Sequence, residues 1–131
     1  MEDFQINFSN DIAVVKVELV AATLRDTKLL WDELESHLIF NWNKVIMDLS
    51  SCSFIDSTFI GMIVKIFRKI SQKNGQLKLV FPQITAVESF RVVGITKILE
   101  CFDTLQEAEA SFNHQPPVQK VSSDEKILTM Q

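Results

Sequence analysis

Glycine is scarce in this chain: three occur in 131 residues, Gly61, Gly75 and Gly94, and they are scattered. A loop that cradles phosphate needs glycines close together so that backbone N–H groups reach the anion, and no such loop can be built from these. Cysteine is equally thin. Cys52 and Cys101 make no disulfide framework and suit a reducing compartment, and neither is followed by the arginine loop of a cysteine-dependent phosphatase. His37 and His114 pair with no serine or cysteine in a recognisable pattern, and no cluster has metal-ligand spacing. Neither intrinsic catalysis nor a metal or cofactor is therefore expected. No apolar run approaches the roughly 20 residues of a membrane span. Met1-Glu2-Asp3 puts no basic region ahead of an apolar run, so neither export nor membrane insertion is expected, and the chain reads as cytoplasmic. An excess of positive charge is also missing. With a formal net charge of −4 and a pI near 5.1, an extended nucleic-acid surface is not expected, and a protein partner is the default.

What is present is enough apolar residue, 47% against 23% charged, for one globular domain with a modest core. Residues 4 to 20 read as two strands around Ser9-Asn10-Asp11, with Val15, Val17 and Leu19 alternating against Lys16 and Glu18. Leu30, Leu34 and Leu38 recur every four residues and predict a surface helix over residues 26 to 40. Val45-Ile46-Met47-Asp48-Leu49 is a compact apolar run of buried-strand length. A short polar loop then leads into a second helix, from Asp56 to about Lys73, with Phe59, Ile63, Ile66, Phe67 and Ile70 on its core side. Lys65, Arg68, Lys69 and Lys73 lie on its other faces and toward its end. Asn74-Gly75 reads as its left-handed C-terminal cap, and residues 77 to 81 as the next strand. This β-α-β order implies parallel strands, with the loop entering the helix at the carboxyl edge of the sheet where α/β proteins bind ligands and partners. Beyond Pro82, Ile84, Val87 and Phe90 predict a short helix stopping at Gly94. A strand follows over residues 98 to 102, and Thr104-Leu105-Gln106-Glu107 opens a last helix to about residue 112. Residues 114 to 131, with Pro116-Pro117, read as a flexible tail in which Ile127 and Leu128 offer a local docking point.

The corner Asp56-Ser57-Thr58 carries the functional signal. Asp, Ser and Thr are all favoured at helix N-caps, so capping alone accounts for the triplet. A serine there also lies where unpaired N–H groups and the helix dipole accommodate a phosphate, and the two roles are compatible.

Together, Val45-Ile46-Met47-Asp48-Leu49-Ser50, Phe54-Ile55-Asp56-Ser57-Thr58 with Gly61, Asn74-Gly75-Gln76-Leu77-Lys78-Leu79 and Val93-Gly94-Ile95 resemble the STAS domain over residues 4 to 112. Among its members the free-standing bacterial anti-sigma-factor antagonists are the most similar. The resemblance implies an α/β fold, a mixed β-sheet of about five strands packed with about four helices, with residues 1–113 as the domain and 114–131 as the tail. It implies Ser57 as phosphoacceptor for a serine kinase that doubles as anti-sigma factor. The unphosphorylated form would bind the kinase and free a sigma factor, and a metal-dependent serine phosphatase would reset the modified form. Asp56, Ser57, Thr58, Met62, Lys65 and Arg68, with the loop over residues 22 to 27, would form the partner surface. For Met62 the competing role is core packing, and for Lys65 and Arg68 a solvated helix face. The chain departs from the family pattern twice. Phe59 stands where members usually have glycine, and Ala21-Ala22-Thr23-Leu24 replaces a Gly-Glu-apolar-Asp stretch whose aspartate lies near the acceptor, leaving Asp26 as the nearby carboxylate. An alternative reading is a STAS accessory subunit of an ABC-type membrane transport complex with no phosphorylation cycle. A third is a module that assembles larger signalling scaffolds.

Overall fold

In a computed structural model of the chain, residues 3–83 and 94–113 are described. Strands β1 (Phe4–Ser9) and β2 (Ile12–Val17) form an antiparallel hairpin turned by Asn10, whose φ of 56° suits asparagine. The strand β3 (Ala21–Ala22) leads into helix α1 (Leu24–Ser36), a 3₁₀ turn (Ile39–Asn41) and strand β4 (Lys44–Asp48). After β5 (Phe54–Ile55) come helix α2 (Ser57–Ser71), strand β6 (Gln76–Val80), a second 3₁₀ turn (Ile95–Lys97), strand β7 (Glu100–Phe102) and helix α3 (Leu105–Asn113). The main sheet has five strands in the order β1-β2-β4-β6-β7, antiparallel only at its β1 edge, and β3 pairs with β5 in a small parallel ribbon.

The alternation of side chains along each strand divides the core. Ala13, Val15, Val17, Val45, Met47, Leu77 and Leu79 face the side covered by Leu30 and Leu34 of α1 and by Phe59, Ile63, Ile66 and Ile70 of α2. Ile12, Val14, Ile46 and Val80 face Ala108 and Phe112 of α3. The middle strands are therefore apolar on both faces, which is why Val45-Ile46-Met47 reads as a continuous run rather than an alternation. Lys78 points to the α3 side and is only 2% exposed. Its ammonium donates to Ser111 Oγ at 2.7 Å, meets Glu100 Oε1 at 3.2 Å and lies 4.1 Å from the centre of the Phe112 ring. A buried charge needs such partners, and here they fasten α3 to β6.

The mixed five-strand sheet agrees with the sequence expectation, and three α-helices lie among the described residues. The helix expected over residues 84 to 94 and the tail of residues 114 to 131 lie outside them. Two local expectations are corrected. Helix α1 ends at Ser36, and Leu38 takes a left-handed conformation (φ 58°) with its side chain exposed, so Ile39 and Phe40 enter the core in its place. The left-handed cap expected at Asn74-Gly75 is present, with Asn74 at φ 65°. Gly75 is required for a different reason: a Cβ there would come within 2.8 Å of Ile70 Cγ2 and 3.0 Å of the Trp42 carbonyl oxygen. The last strand begins at Glu100 rather than Ile98, because a 3₁₀ turn occupies Ile95–Lys97.

Candidate functional site

The β3–β5 ribbon shapes the carboxyl edge of the sheet. Its strands are only two residues each, too short to leave a periodic signal, and they pair Ala21 with Phe54 and Ala22 with Ile55. Backbone N–H groups of Ser53 and Phe54 donate to the Val20 carbonyl at 2.8 and 3.1 Å, and that of Asp56 to Ala22 at 3.1 Å. The start of α1 is thereby held against the start of α2.

Asp56 joins the two helices. One carboxylate oxygen accepts the Phe59 N–H at 2.8 Å, the N-cap bond of α2, and the other accepts the Leu24 N–H at 3.0 Å, in the first residue of α1. One side chain thus satisfies orphan donors on two helices. Since each cap is worth about 1 kcal/mol, Asp56→Ala is expected to lower stability by about 2 kcal/mol, with Asp56→Asn, which keeps one acceptor oxygen, retaining about half of it. Urea unfolding measures this, and a loss below about 0.5 kcal/mol would show that the carboxylate does not hold both ends.

With Asp56 as the cap, Ser57 opens α2 with its side chain exposed and its hydroxyl without a hydrogen-bond partner among the described residues. Thr58 is also exposed, and the same outer face continues through Gly61, Lys65 and Arg68. Met62 is half-buried against the core, so core packing accounts for it in large part. The Lys65 ammonium lies 5.6 Å from the Trp31 ring centre on α1, which fixes where that cation stands. Phe59 is fully buried in the core. The bulky residue two positions after Ser57 therefore leaves the outer face clear.

Gly61 has no structural requirement: a Cβ built there meets nothing within 4 Å, and its φ is not positive. Glycine inside a helix is unfavourable relative to alanine. Gly61→Ala is accordingly expected to raise stability by up to about 1 kcal/mol, read as a higher thermal midpoint. A lower midpoint would mean that the fold itself needs the glycine.

Asp26, the nearby carboxylate of the sequence reading, is engaged elsewhere. It is buried, and it reaches back within α1 to accept the Thr23 N–H at 2.9 Å and the Thr23 hydroxyl at 3.4 Å. Asp56 is the carboxylate beside Ser57. What sequence reasoning missed is a set of exposed apolar side chains around this corner, Val20, Leu24 and Phe54. The signal available was Leu24 standing one residue after a helix-capping threonine, a position that α1 turns outward.

The chemistry of the remaining candidates is quiet. Burial pushes the Cys52 thiol up to about 12 and the Cys101 thiol up to about 11, so neither supplies a thiolate near neutral pH. Among the described residues there is no cluster of metal-ligating side chains, and no helix is long and apolar enough to cross a membrane.

Comparison with known proteins agrees with this geometry. The family model of the STAS domain matches residues 6–108. Relatives from Thermotoga neapolitana and Thermotoga maritima, assigned by name to the anti-sigma factor antagonists, are 31% and 33% identical over 67 residues. That stretch is 51% of this chain and 59% of each relative, so the match spans less than two thirds of their length. A crystal structure of an anti-sigma factor antagonist from Thermotoga maritima superposes with a TM-score of 0.74 at 25% identity, covering 85% of this chain and 95% of that one. SpoIIAA in its unphosphorylated form shares the fold, with a TM-score of 0.70 at 16% identity over 86% of this chain and 98% of that one. With the sheet order, the helix-capping corner and the family match in agreement, the chain belongs to the STAS domain family.

Proposed function

We propose that this chain is a phosphorylation-controlled protein-binding switch, an anti-sigma-factor antagonist acting in the cytoplasm. In its unphosphorylated form it binds a serine kinase that is also an anti-sigma factor, and so releases a sigma factor or an equivalent output. Transfer of phosphate to Ser57 ends the complex, and a metal-dependent serine phosphatase restores it.

The observation that carries this reading is the division of labour at the start of α2. Asp56 holds the cap, while the Ser57 hydroxyl is exposed, without a hydrogen-bond partner among the described residues, at the positive end of a 15-residue helix. A phosphate of about −1.5 to −2 charge is tolerated there by the dipole and the free N–H groups. It would stand next to the Asp56 carboxylate, on the surface a partner has to cover, where desolvation is costly. The expected result is a folded domain with its binding face closed. Gly61, which the fold does not need, leaves bare backbone one turn further along the same face and supports close approach of a partner. SpoIIAA, whose fold this chain shares, has been obtained in both unphosphorylated and phosphorylated forms, consistent with such a cycle. Burial of Phe59 removes one reason to prefer constitutive docking on a transporter.

The test is the intact mass of the protein isolated from its native cells, with peptide mapping across residues 54 to 65. Phosphate on Ser57 that is absent from a Ser57→Ala chain is expected. An unmodified Ser57 under growth and stress conditions alike would defeat the proposal.

A further inference from the structure

Val20, Leu24 and Phe54 are 72%, 63% and 54% exposed, although each belongs to a segment otherwise committed to the fold. Their neighbours Ala22 and Ile55 are buried, as a ribbon with one inner and one outer face requires. Two backbone contacts and one bond to a side chain bring their backbones to one corner: Phe54 N–H to the Val20 carbonyl, the Ala21–Phe54 pairing, and the Leu24 N–H to the carboxylate of Asp56, the residue preceding Ser57. Single exposed apolar residues are ordinary, but a cluster at the mouth of a candidate site marks an interaction surface. Lys65 and Arg68 follow on the outer face of α2, and Arg25, 80% exposed in its side chain, follows Leu24. The corner is thus apolar at its centre and cationic along one side.

We infer that Val20, Leu24 and Phe54 form an apolar anchor that selects the partner of this chain. The partner is a folded protein whose contact surface carries an apolar socket rimmed by aspartate and glutamate. This rests on the proposed function and specifies the chemistry of the kinase surface. Buried apolar anchors govern how slowly a complex dissociates, whereas peripheral charges govern how fast it forms. The anchor and the cations should therefore act on different rate constants.

The experiment uses the full chain with a photo-crosslinking phenylalanine analogue placed singly at positions 20, 24 and 54 in native cells. The cross-linked protein is identified by mass spectrometry, purified and assayed for transfer of phosphate from ATP to Ser57. One Ser57 kinase is expected at all three positions. Leu24→Ser and Phe54→Ser should each raise its dissociation rate by about tenfold, the size of effect that loss of a buried apolar contact produces. Arg68→Glu should instead slow association, with the wild-type association rate falling as salt is added. Both serine variants keep the backbone bonds of the corner, and Leu29→Ser, at an exposed apolar residue of α1, serves as the surface control. A kinase that labels Ser57 but binds both serine variants as it binds wild type would overturn the anchor and leave the switch standing. A cross-linked protein that does not label Ser57 would overturn the assignment of this corner to the kinase, and mass analysis of native Ser57 then decides the switch separately.

Discussion

Replacing Ser57 by glutamate is expected to weaken binding to the serine kinase by more than about a hundredfold while leaving thermal unfolding nearly unchanged. A loss of about 3 kcal/mol suffices for that change. Within the domain, the new carboxylate sits in the first turn of α2, where the dipole and unpaired N–H groups stabilise an anion by roughly 0.3–1 kcal/mol. This offsets its repulsion from Asp56, whose two oxygens stay bonded to the Leu24 and Phe59 N–H groups. In a complex, the same carboxylate has to be stripped of water among Thr58, Gly61 and the apolar side chains of the corner, which is costly. Ser57→Ala, which adds no charge, should bind the kinase about as wild type does and resist release by ATP. Calorimetric titration with the purified kinase, alongside thermal melts, checks both. Equal affinities for the glutamate and alanine variants would mean that charge at Ser57 is not the switch.

Phe59→Ala is expected to destabilise the fold by about 3–5 kcal/mol, the range for removing a large aromatic side chain from a packed interior. Phe59 is fully buried in the core beneath α1 and α2, one residue into the helix from Thr58. Its backbone N–H also carries the α2 cap to Asp56, so the side chain and the cap hold the same turn in place. Loss of the ring would leave a cavity in the layer that positions Ser57. The variant should therefore show a lower urea midpoint with an unchanged slope, together with weaker kinase binding in proportion to its unfolded fraction. A change under about 1 kcal/mol would mean that the space collapses without penalty. Phe59→Leu, which refills most of the volume, should recover much of the loss.

The elements legible in the sequence were those whose stability is local or whose pattern is long. The run at β4, the amphipathic period of α2 and the Asp56-Ser57-Thr58 start could each be read without knowing what they pack against. Their order alone implied a parallel β-α-β unit, because two parallel neighbours need a crossover of helix length. The β3–β5 ribbon was not legible, since two-residue strands have no period and exist only through pairing across residues far apart in the chain. Leu38 continued a four-residue repeat on paper, yet the chain leaves the helix at Ser36 and turns Ile39 inward instead. No local pattern marks Lys78 as buried, and only the arrival of α3 with Ser111 and Phe112 covers it.

The candidate site divides in the same way. Residue chemistry and helix-start preferences by themselves determined that the cap-forming triplet Asp56-Ser57-Thr58 opens α2 after a buried strand, because those are local rules of backbone satisfaction. Tertiary structure decided which of the three polar residues is committed: Asp56 is held by N–H groups from two helices, and the Ser57 hydroxyl is left exposed. It also decided that Phe59 turns inward and that Val20, Leu24 and Phe54 surround the corner, since exposure depends on what long-range pairing brings alongside each residue, which no local pattern encodes.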